Sequence, residues 1–456
     1  MQVFGSSGTR GEVGAEFTPE FVLRVARAAA AVWEADRVAV ARDTRTTGET
    51  FADAAAAGIT ATGTDVVGLG VEPTPATVRY CDVEAVPGVQ ITASHNPPEY
   101  NGVKLIGPDG SGLPVAELER VEERLLADDT RTAAWDAFGT RTGVDDAGDE
   151  YVAELLAELD RAAIADAGLT VALDPGHGAG AHTSPRLFRE LGCDVVTVNA
   201  QPDGRFPGRP SEPVPENLTD LARLVRTSDA DVGIAHDGDA DRAVFVDETG
   251  TCVSGDASLA ALAERALSPG DTAVSAVNVS QRLVDVCDRV GAELSLTPIG
   301  ATNLVTRVRE LWADGASVPV AGEGNGGVFF PNYRLSRDGA YVAGKFLELL
   351  AERAEPVSAV IEPYTDYHTV RANVGYDDET ERTAMLAAAQ RYAETADAEP
   401  QTTDGFRLDY GDAWVLVRES GTEPKLRVYA ESSDPDRAER LAAEARETLA
   451  SAREDA

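Results

Sequence analysis

The stretch TASHNPPEYNGVK, from Thr92 to Lys104, is the most informative segment of this chain. It follows the short apolar run GVQI, whose composition predicts a buried strand. Ser94 is therefore expected where that strand ends and an irregular loop begins. Prolines stiffen the loop, and the Asn101-Gly102 pair turns it before an extended pattern resumes. The serine does not belong to a GxSxG hydrolase elbow, because no glycine lies two residues away on either side of it. Alone, such a segment is typical of an ordinary polar loop, so its interpretation depends on the rest of the chain.

The composition is that of a multidomain globular protein with an acidic surface. A chain of 456 residues is too long for one hydrophobic core and predicts three or four domains. The hydrophobic content of 43% argues against disorder despite a net charge of −38. The acidic residues are dispersed along the chain, and lysine is nearly absent. Such a surface fits the high-salt cytoplasm of a halophile and disfavours nucleic acid and anionic membranes as partners.

The four cysteines, at positions 81, 193, 252 and 287, form no CxxC pair. We interpret them as reduced thiols of a cytosolic protein. No basic and apolar signal segment opens the chain, and no apolar run is long enough to span a bilayer. We therefore expect a soluble, cytoplasmic protein.

Strand and helix signals divide the chain into four units. In the first three, apolar strands such as RVAVARD, LTVALD and TAVSAV alternate with helical segments, which predicts mixed, mainly parallel sheets covered by helices. In the last unit, the strands FRLDY, AWVLVRESG and LRVYAES are joined by short turns, which predicts an antiparallel α+β module. The predicted fold class is therefore three similar α/β domains followed by an α+β domain. We place the four domains at residues 1–147, 148–248, 249–363 and 364–456.

Each of the first three units leads an apolar strand into a polar loop. The three junctions read ITAS-HNPP, GIAH-DGDAD and VAGE-GNGG. Ligands of open α/β sheets bind beyond the carboxyl ends of the strands. We therefore expect these loops, together with one from the last unit, to converge on a single cleft.

The loop DGDADR carries carboxylates at alternate positions, on Asp237, Asp239 and Asp241. In a loop bent by glycine these groups can face one hard cation, and oxygen ligands select magnesium rather than zinc. An EF-hand is excluded, because its sixth position, which must be glycine, is Arg242. A solvated acidic turn is the remaining alternative, but apolar strands flank the loop on both sides. We expect a magnesium site with open positions for phosphate oxygen or water.

Two further loops have the chemistry of sugar and phosphate recognition. GEGNGG, residues 322–327, offers the carboxylate of Glu323 and the amide of Asn325 to neighbouring sugar hydroxyls, although glycine-rich turns are common. RESGTEPKLR, residues 418–427, combines backbone N–H groups, hydroxyls and guanidinium groups around one turn, as anion sites do. A plain hairpin is the alternative there, but clustered basic residues in so acidic a chain favour a phosphate site.

Basic residues are informative because lysine is so rare. Lys104 and Lys425 fall inside these motifs, and we interpret them as functional. Lys345 lies on a helical stretch, where a local salt bridge explains it. At the N-terminus, the glycine-rich segment FGSSGTRG places Arg10 where it can contact a second phosphate.

In this order, FGSSGTRG, TASHNPPEYNG, DGDADR, GEGNGG and SGTEP resemble the motifs of the α-D-phosphohexomutases, which include phosphoglucomutase, phosphomannomutase and phosphoglucosamine mutase. The resemblance covers nearly the whole chain and looks closest to archaeal members, which carry an NGG-type sugar loop. It implies four domains in a heart-like arrangement, the last of them smaller and separately hinged. It also implies Mg²⁺, a hexose 1,6-bisphosphate as intermediate and activator, hexose phosphates as small-molecule partners, and a monomer or homodimer.

The resemblance also assigns roles to individual residues. The catalytic roles are implied for Ser94, Lys104, His95 and Arg10. Ser94 matches the phosphorylated serine, and the magnesium ligands are implied to be Ser94, Asp237, Asp239 and Asp241. Substrate contacts are implied for Arg242, Glu323, Asn325, Gly326, Arg418, Ser420, Gly421 and Thr422.

In the implied mechanism, a phosphoserine at position 94 donates its phosphoryl group to the free hydroxyl of a hexose phosphate. The resulting 1,6-bisphosphate turns over, and its other phosphate returns to the serine. Lys104 can deprotonate the attacking hydroxyl provided that its pKa is lowered when the cleft closes.

Two positions depart from the family pattern. Gly327 stands where many bacterial relatives have histidine, so their sugar discrimination does not transfer to this chain. Glu419 stands where proline is frequent, and we expect its side chain to point away from the anion site.

Two alternative functions remain open at the level of sequence. One is a magnesium-dependent sugar-phosphate phosphatase that uses a phosphoserine, and the other is a non-catalytic regulator that binds sugar phosphates. Among mutase substrates, the sequence does not choose between glucosamine, mannose and glucose phosphates.

Overall fold

A computed structural model describes residues 3–5, 8–420 and 424–456 of the chain. Within these ranges, four β-sheets with packed helices follow one another along the chain, and they define domains I to IV. The predicted fold class, three α/β domains followed by an α+β domain, is confirmed, whereas the residue boundaries given above stay a prediction. In the described part of the chain, no helix combines the length and the apolar character needed to cross a bilayer.

Domain I is a six-stranded sheet with helices on both faces. Its strands are β1 (Thr9–Glu12), β2 (Arg37–Arg42), β3 (Asp65–Val71), β4 (Gly88–Ile91), β5 (Tyr100–Ile106) and β6 (Arg141–Gly143). Its helices are α1 (Pro19–Trp33), α2 (Gly48–Thr60), α3 (Thr74–Glu84) and α4 (Val115–Ala127). The strand order is β1-β5-β4-β2-β3-β6, with β5 antiparallel to both of its neighbours and the other pairs parallel. Thr18 caps helix α1, with its Oγ1 accepting a hydrogen bond from Phe21 N at 3.2 Å.

Domain II has a four-stranded sheet in the order β10-β9-β7-β8. Its strands are β7 (Thr170–Asp174), β8 (Asp194–Thr197), β9 (Val232–Ala235) and β10 (Val244–Val246). Its helices are α5 (Ala147–Glu158), α6 (Arg161–Ala167), α7 (Ser184–Glu190) and α8 (Thr219–Ser228). β9 and β10 form an antiparallel hairpin, so the acidic loop between them lies at one end of the sheet.

Domain III has a five-stranded sheet in the order β12-β11-β13-β14-β15. Its strands are β11 (Thr272–Ala276), β12 (Glu293–Thr297), β13 (Val320–Glu323), β14 (Gly327–Phe330) and β15 (Arg334–Arg337). Its helices are α9 (Gly255–Ala266), α10 (Gln281–Val290), α11 (Ala301–Ala313), α12 (Gly339–Arg353) and α13 (Val357–Ile361). One hydrophobic core continues from domain II into domain III, where the rings of Phe245 and Phe346 stack with centroids 4.0 Å apart.

Domain IV has a fully antiparallel sheet in the order β16-β20-β19-β18-β17. Its strands are β16 (His368–Gly375), β17 (Glu399–Gln401), β18 (Phe406–Asp409), β19 (Ala413–Glu419) and β20 (Lys425–Ser432). Its helices are α14 (Glu379–Thr395) and α15 (Pro435–Glu454), which pack on one face and close a separate core. Single turns of 3-10 helix occur in domains II and III at Ala179–His182, Pro215–Asn217 and Glu362–Tyr364.

Candidate active site

Ser94 lies at the predicted corner, three residues beyond the end of β4. Its side chain is buried, and its backbone has a φ of 51°, in the left-handed region that residues other than glycine rarely adopt. Its N–H donates to Thr92 Oγ1 at 2.9 Å, and its Oγ donates to Asp237 Oδ2 at 2.5 Å. The serine and the acidic loop, which are far apart in sequence, are therefore in direct contact.

A buried arginine that the sequence analysis missed holds the Ser94 loop. The Arg45 side chain is fully buried and forms an ion pair with Asp43 at 3.1 Å. Its terminal nitrogens donate to four loop carbonyls at 2.6 to 2.9 Å, those of Ser94, Asn96, Pro97 and Tyr100. Asp43 also accepts from Thr92 Oγ1 at 2.6 Å. The pair therefore fixes both ends of the turn that carries the serine.

The sequence contains no motif for this pair, but its position along the chain is informative. Asp43 and Arg45 follow β2, which is parallel to β4, so they emerge at the same sheet edge as Ser94. The same holds for Thr74, which follows β3 and donates from Oγ1 to Asp239 Oδ2 at 2.5 Å.

The three aspartates of the acidic loop form a buried cluster. Asp237, Asp239 and Asp241 each offer a carboxylate oxygen, and these oxygens lie within 4.8 Å of one another. The Oδ1 atoms of Asp239 and Asp241 are buried and have no hydrogen-bond partner among the described residues. Buried anionic oxygens without partners are costly unless a cation neutralises them. The cluster therefore fits a hard divalent cation, as the sequence predicts.

A glycine lets this loop approach the serine. A Cβ placed on Gly238 would lie 2.6 Å from the carbonyl oxygen of Ser94, closer than real Cβ contacts. The glycine inside DGDADR is thus required by the close approach of the two loops.

Lys104 is the nearest cation to the aspartate cluster. Its Nζ donates to Asp239 Oδ2 at 2.5 Å and to Asp241 Oδ2 at 2.6 Å. Burial lowers the pKa of Lys104, but the charges of Asp239 and Asp241 outweigh burial, so its pKa is raised overall. The lowered pKa that a general base at this position needs is therefore not observed in this arrangement. The position of the Lys104 ammonium group instead shows that the carboxylates of Asp239 and Asp241 attract a cation.

The protonation of the aspartates follows from the same crowding. Burial, and then the charges of Asp241 and Asp239, raise the pKa of Asp237 to about 8. Burial also raises the pKa of Asp241, but the charges of Lys104, Arg337 and Arg242 outweigh it and lower that pKa overall. The crowding of buried carboxylates therefore favours a bound proton or cation at the cluster.

Two guanidinium groups converge on the imidazole of His95, beside Ser94. Arg242 Nη2 lies 3.0 Å and Arg10 Nη1 3.5 Å from His95 Nδ1, and Ser94 Oγ lies 3.4 Å from the same nitrogen. Burial, and then the charges of Arg242 and Arg10, lower the pKa of His95, so its ring is neutral and accepts hydrogen bonds at Nδ1. Two cations facing a neutral ring next to a hydroxyl are suited to receive an anionic phosphoryl group.

The predicted convergence of loops on one cleft is confirmed. A cavity of about 680 Å³ opens beside the serine and is lined by side chains from all four domains. The predicted residues that line it are His95, Arg242, Glu323, Asn325 and Arg418. Arg371 on β16, which was not predicted, adds another guanidinium to the wall formed by domain IV.

The sugar loop is tightly held. Glu323 Oε1 accepts from Gly300 N at 3.2 Å, and Glu323 Oε2 is paired with Arg337. Asn325 Oδ1 accepts from Gly327 N at 3.0 Å, which directs the amide oxygen back to the loop. Gly326, with a φ of 83°, packs against the carbonyl oxygen of Ala243 and does not line the cleft, so its predicted role in substrate binding stays a prediction.

The distal loop is only partly described. Arg418 lines the cleft and lies 3.1 Å from Asp404, and the N–H of Ser420 donates to Lys425 O at 2.9 Å. Ser420 Oγ is buried without a hydrogen-bond partner among the described residues. The predicted contacts Gly421 and Thr422 lie outside the described residues.

The expectations for two charged side chains are met. Glu419 is held by Arg382, with Nε at 2.5 Å and Nη2 at 2.9 Å from its carboxylate oxygens, and it does not line the cleft. Lys345 forms a local salt bridge with Glu348 on α12, at 2.5 Å.

Family models match all four domains in order. The models describe phosphoglucomutase/phosphomannomutase alpha/beta/alpha domain I at residues 1–132, domain II at 149–250 and domain III at 254–367, and the C-terminal domain at 372–448. These segments together cover most of the chain.

Relatives and a solved structure that match over nearly all of the chain agree with these family models. The chain is 39% identical to a phosphoglucomutase/phosphomannomutase of Thermococcus kodakarensis over 96% of each chain. It is 40% identical to a probable phosphoglucosamine mutase of Methanopyrus kandleri over 96% of this chain and 95% of that one. A crystal structure of a phosphoglucomutase/phosphomannomutase family protein from Burkholderia thailandensis superposes with a TM-score of 0.85 at 28% identity, over 99% of this chain and 97% of that one.

Proposed function

Because the chain belongs to the phosphoglucomutase/phosphomannomutase family, we propose that it interconverts hexose 6-phosphates and hexose 1-phosphates through a phosphoserine at position 94. The observation that carries the proposal is the 2.5 Å contact between Ser94 Oγ and Asp237, which lies next to His95 and Arg242 on the wall of a cleft lined by all four domains. A phosphorylated serine there lies between a carboxylate cluster and two guanidinium groups. That is the environment a phosphoryl donor needs.

The metal belongs to this proposal as well. Asp237, Asp239 and Asp241, with an oxygen on Ser94, would hold Mg²⁺, because the cluster offers buried oxygen ligands that lack partners among the described residues. When bound, such an ion supplies charge stabilisation to the phosphoryl oxygens.

The chain's own residues account for the remaining requirements. Arg10 and Arg242 orient the phosphoryl group on the serine, and the neutral His95 accepts their N–H groups. Lys104 donates hydrogen bonds to the aspartates in this arrangement, where its pKa is raised. It can take the proton of the sugar hydroxyl only in a state of the enzyme in which its pKa is lowered. A hydroxyl of the bound hexose attacks phosphorus as the bond from phosphorus to Ser94 Oγ breaks, and the proton lost by the sugar hydroxyl ends on Ser94 Oγ, which leaves as a hydroxyl.

Reversal of the sugar requires a second phosphate site. The 1,6-bisphosphate formed in the first transfer carries phosphate at both ends and must bind in two orientations. Arg371 and Arg418 on the wall of domain IV line the far side of the same cleft and suit the phosphate that is not reacting. We place the distal phosphate there.

The substrate is proposed only as a class. The relatives include a phosphoglucomutase/phosphomannomutase and several probable phosphoglucosamine mutases, so glucose, mannose and glucosamine phosphates are the candidates to assay. We include a hexose 1,6-bisphosphate as activator, because it phosphorylates Ser94.

A coupled assay of the three hexose phosphates, with Mg²⁺, a trace of bisphosphate and molar KCl, tests the proposal. Ser94→Ala should lower kcat by about 10³-fold or more, and Asp239→Ala should no longer be activated by Mg²⁺. Arg418→Ala should mainly raise KM. Ser451→Ala, on the exposed end of α15, is the matched control and should behave as the wild type. Normal turnover by Ser94→Ala would show that the mechanism is wrong.

The same assay separates the mutase from a phosphatase. A phosphatase would use the same serine and aspartates but would release inorganic phosphate, which is measured in parallel. We do not favour it, because the wall of domain IV offers arginines to a second phosphate that a phosphatase does not need.

A further inference from the structure

Gly327 and Arg337 occupy one another's space. Gly327 begins β14, Arg337 ends the adjacent strand β15, and a Cβ added to Gly327 would lie 2.5 Å from Arg337 Nε and 2.8 Å from its Cζ. The glycine is not in the left-handed region, so the requirement is for space and not for backbone conformation. The Arg337 guanidinium therefore fills the volume that a side chain at position 327 would occupy.

Arg337 lies on the wall of the cleft and is largely buried. Its side chain is 7% exposed, is paired with Glu323 and lies 5.7 Å from the centre of the Phe329 ring. Its Nε is buried and has no hydrogen-bond partner among the described residues. A buried guanidinium N–H without a partner is unfavourable, and the residue lines the same cavity as His95, Arg242 and Asn325.

We propose that Arg337 is a specificity-determining residue of the sugar subsite, where its guanidinium donates a hydrogen bond to one ring hydroxyl of the hexose and sets Glu323 to accept from a neighbouring hydroxyl. This inference rests on the proposed function and names the chemistry of its sugar site. A guanidinium can only donate, so it selects an oxygen at that ring position and disfavours an ammonium group there.

The alternative is that Arg337 serves only as a counterion, for Glu323 in direct contact and for Asp241 through its charge. A counterion would affect every ligand alike, including inorganic phosphate, whereas a sugar contact affects only ligands that carry the relevant hydroxyl. The two roles are therefore separated by ligands that differ in the sugar alone.

Binding of glucose 1-phosphate and of inorganic phosphate is measured by calorimetry for the wild type and for Arg337→Met, Arg337→Lys and Gly327→Ala. Arg337→Met should weaken the binding of glucose 1-phosphate by roughly 10- to 100-fold, as expected for loss of a charged hydrogen bond, and should leave the affinity for inorganic phosphate unchanged. The affinity of Arg337→Lys for glucose 1-phosphate should lie between those of the wild type and Arg337→Met. Gly327→Ala should reproduce the defect by displacing the guanidinium, and the double variant should be no worse than Arg337→Met.

The kinetic arm uses deoxyglucose 1-phosphates that each lack one ring hydroxyl. The wild type should discriminate against one of them by kcat/KM, and Arg337→Met should lose that discrimination through KM rather than kcat. Arg334→Met is the matched control, because Arg334 lies in the same strand, is 9% exposed at its side chain and is paired with Asp82 and Glu154, but does not line the cleft. It should lower thermal stability without changing selectivity.

An equal weakening of phosphate and of glucose 1-phosphate by Arg337→Met would overturn the inference, and so would unchanged discrimination among the deoxy sugars. Failure of the wild type to isomerise any hexose phosphate would instead refute the proposed function. In that case the binding comparison still decides the role of Arg337.

Discussion

Ser94 holds a left-handed backbone conformation that is unfavourable by about 1–2 kcal/mol for a residue with a side chain. The hydrogen bonds of Arg45 to the carbonyls of Ser94, Asn96 and Pro97 hold the chain from the serine onward, and Asp43 holds Thr92 before it. The buried Asp43 in turn orients the guanidinium through Nε. We therefore regard Arg45 as a positioning residue that acts through the loop and does not touch the substrate.

Arg45→Lys tests this role. Lysine keeps the charge but cannot serve several carbonyls at once, so the serine should lose its fixed position relative to Asp237. We expect kcat to fall about 10- to 100-fold, with KM for the hexose phosphate changed by less than about threefold. Arg42→Lys, at the partly exposed end of β2 and three residues before Arg45, is the control. A change in KM with kcat preserved would contradict the positioning role.

At this scale, the sequence predicts the residues that carry chemistry better than those that position them. Ser94, the three aspartates, Arg10 and Arg242 lie in short motifs whose composition is unusual, and the structure brings them together. Arg45 and Arg337 lie in segments that resemble ordinary strand ends. Their roles depend on carbonyls and carboxylates supplied by distant parts of the fold, which local pattern does not reveal.

At the scale of elements, β1 shows the same limit. The segment FGSSGTRG is glycine-rich, which argues against a strand, yet residues Thr9–Glu12 pair antiparallel with β5. Gly102 permits this pairing, because a Cβ there would lie 2.5 Å from the Thr92 carbonyl and 2.7 Å from that of Thr9. The edge strand therefore forms through tertiary fit, and it is this pairing that places Arg10 beside His95.

The junction between β3 and α5 contains a buried carboxylate with one unsatisfied oxygen. Glu72 Oε1 accepts from Gly148 N at 3.1 Å in the first turn of α5, and Oε2 is buried without a partner among the described residues. Burial, against the effect of the Gly148 hydrogen bond, raises the pKa of Glu72 to about 7 from 4.5. Between these values the folded protein binds more protons than the unfolded chain.

The consequence is a loss of stability as pH rises. The contribution of Glu72 is fully present below pH 4.5, declines as pH rises toward 7 and is lost above it. At about 1.4 kcal/mol per pKa unit the loss is roughly 3 kcal/mol. Glu72→Gln removes this titrating group. The Tm of the variant should therefore equal that of the wild type at pH 4.5 and clearly exceed it at pH 8.

Thermal unfolding followed across this pH range measures the effect. Glu49→Gln, an exposed carboxylate in the first turn of α2, is the control and should keep the wild-type pH profile. A pH profile for Glu72→Gln that runs parallel to that of the wild type would show that Glu72 does not titrate in the folded protein.

At the scale of the whole molecule, the cleft depends on how domain IV is attached to domain III. Glu431 on β20 is 1% exposed and accepts from Arg282 Nη1 at 3.1 Å and from Gln281 N at 2.7 Å, both in the first turn of α10. Trp414 and Thr369 of domain IV donate to the same carboxylate. This buried carboxylate therefore joins the two domains.

Arg282 strengthens the same attachment through the connecting segment. Its Nε donates to Tyr364 O at 2.6 Å, and its Nη2 donates to Tyr367 O, just before β16 begins. Arg418, on β19 beside β20, is carried into the cleft by the sheet that this ion pair anchors. The position of the distal phosphate site should therefore depend on Glu431.

Glu431→Gln removes the charge but keeps the shape, and it leaves Arg282 buried without its counterion. Because breaking one half of a buried pair costs about 3–5 kcal/mol, we expect a large fall in Tm or a separate early transition for domain IV. Among molecules that remain folded, KM for the hexose phosphate should rise more than kcat falls, since the serine and the aspartates are untouched. Asp412→Asn is the matched control, because Asp412 is 60% exposed in its pair with Arg437, and such a surface pair contributes about 1 kcal/mol at most. Unchanged KM and Tm in Glu431→Gln would show that domain IV is held in place by its other contacts, such as the hydrogen bond of 2.6 Å from Arg407 to Val277 O.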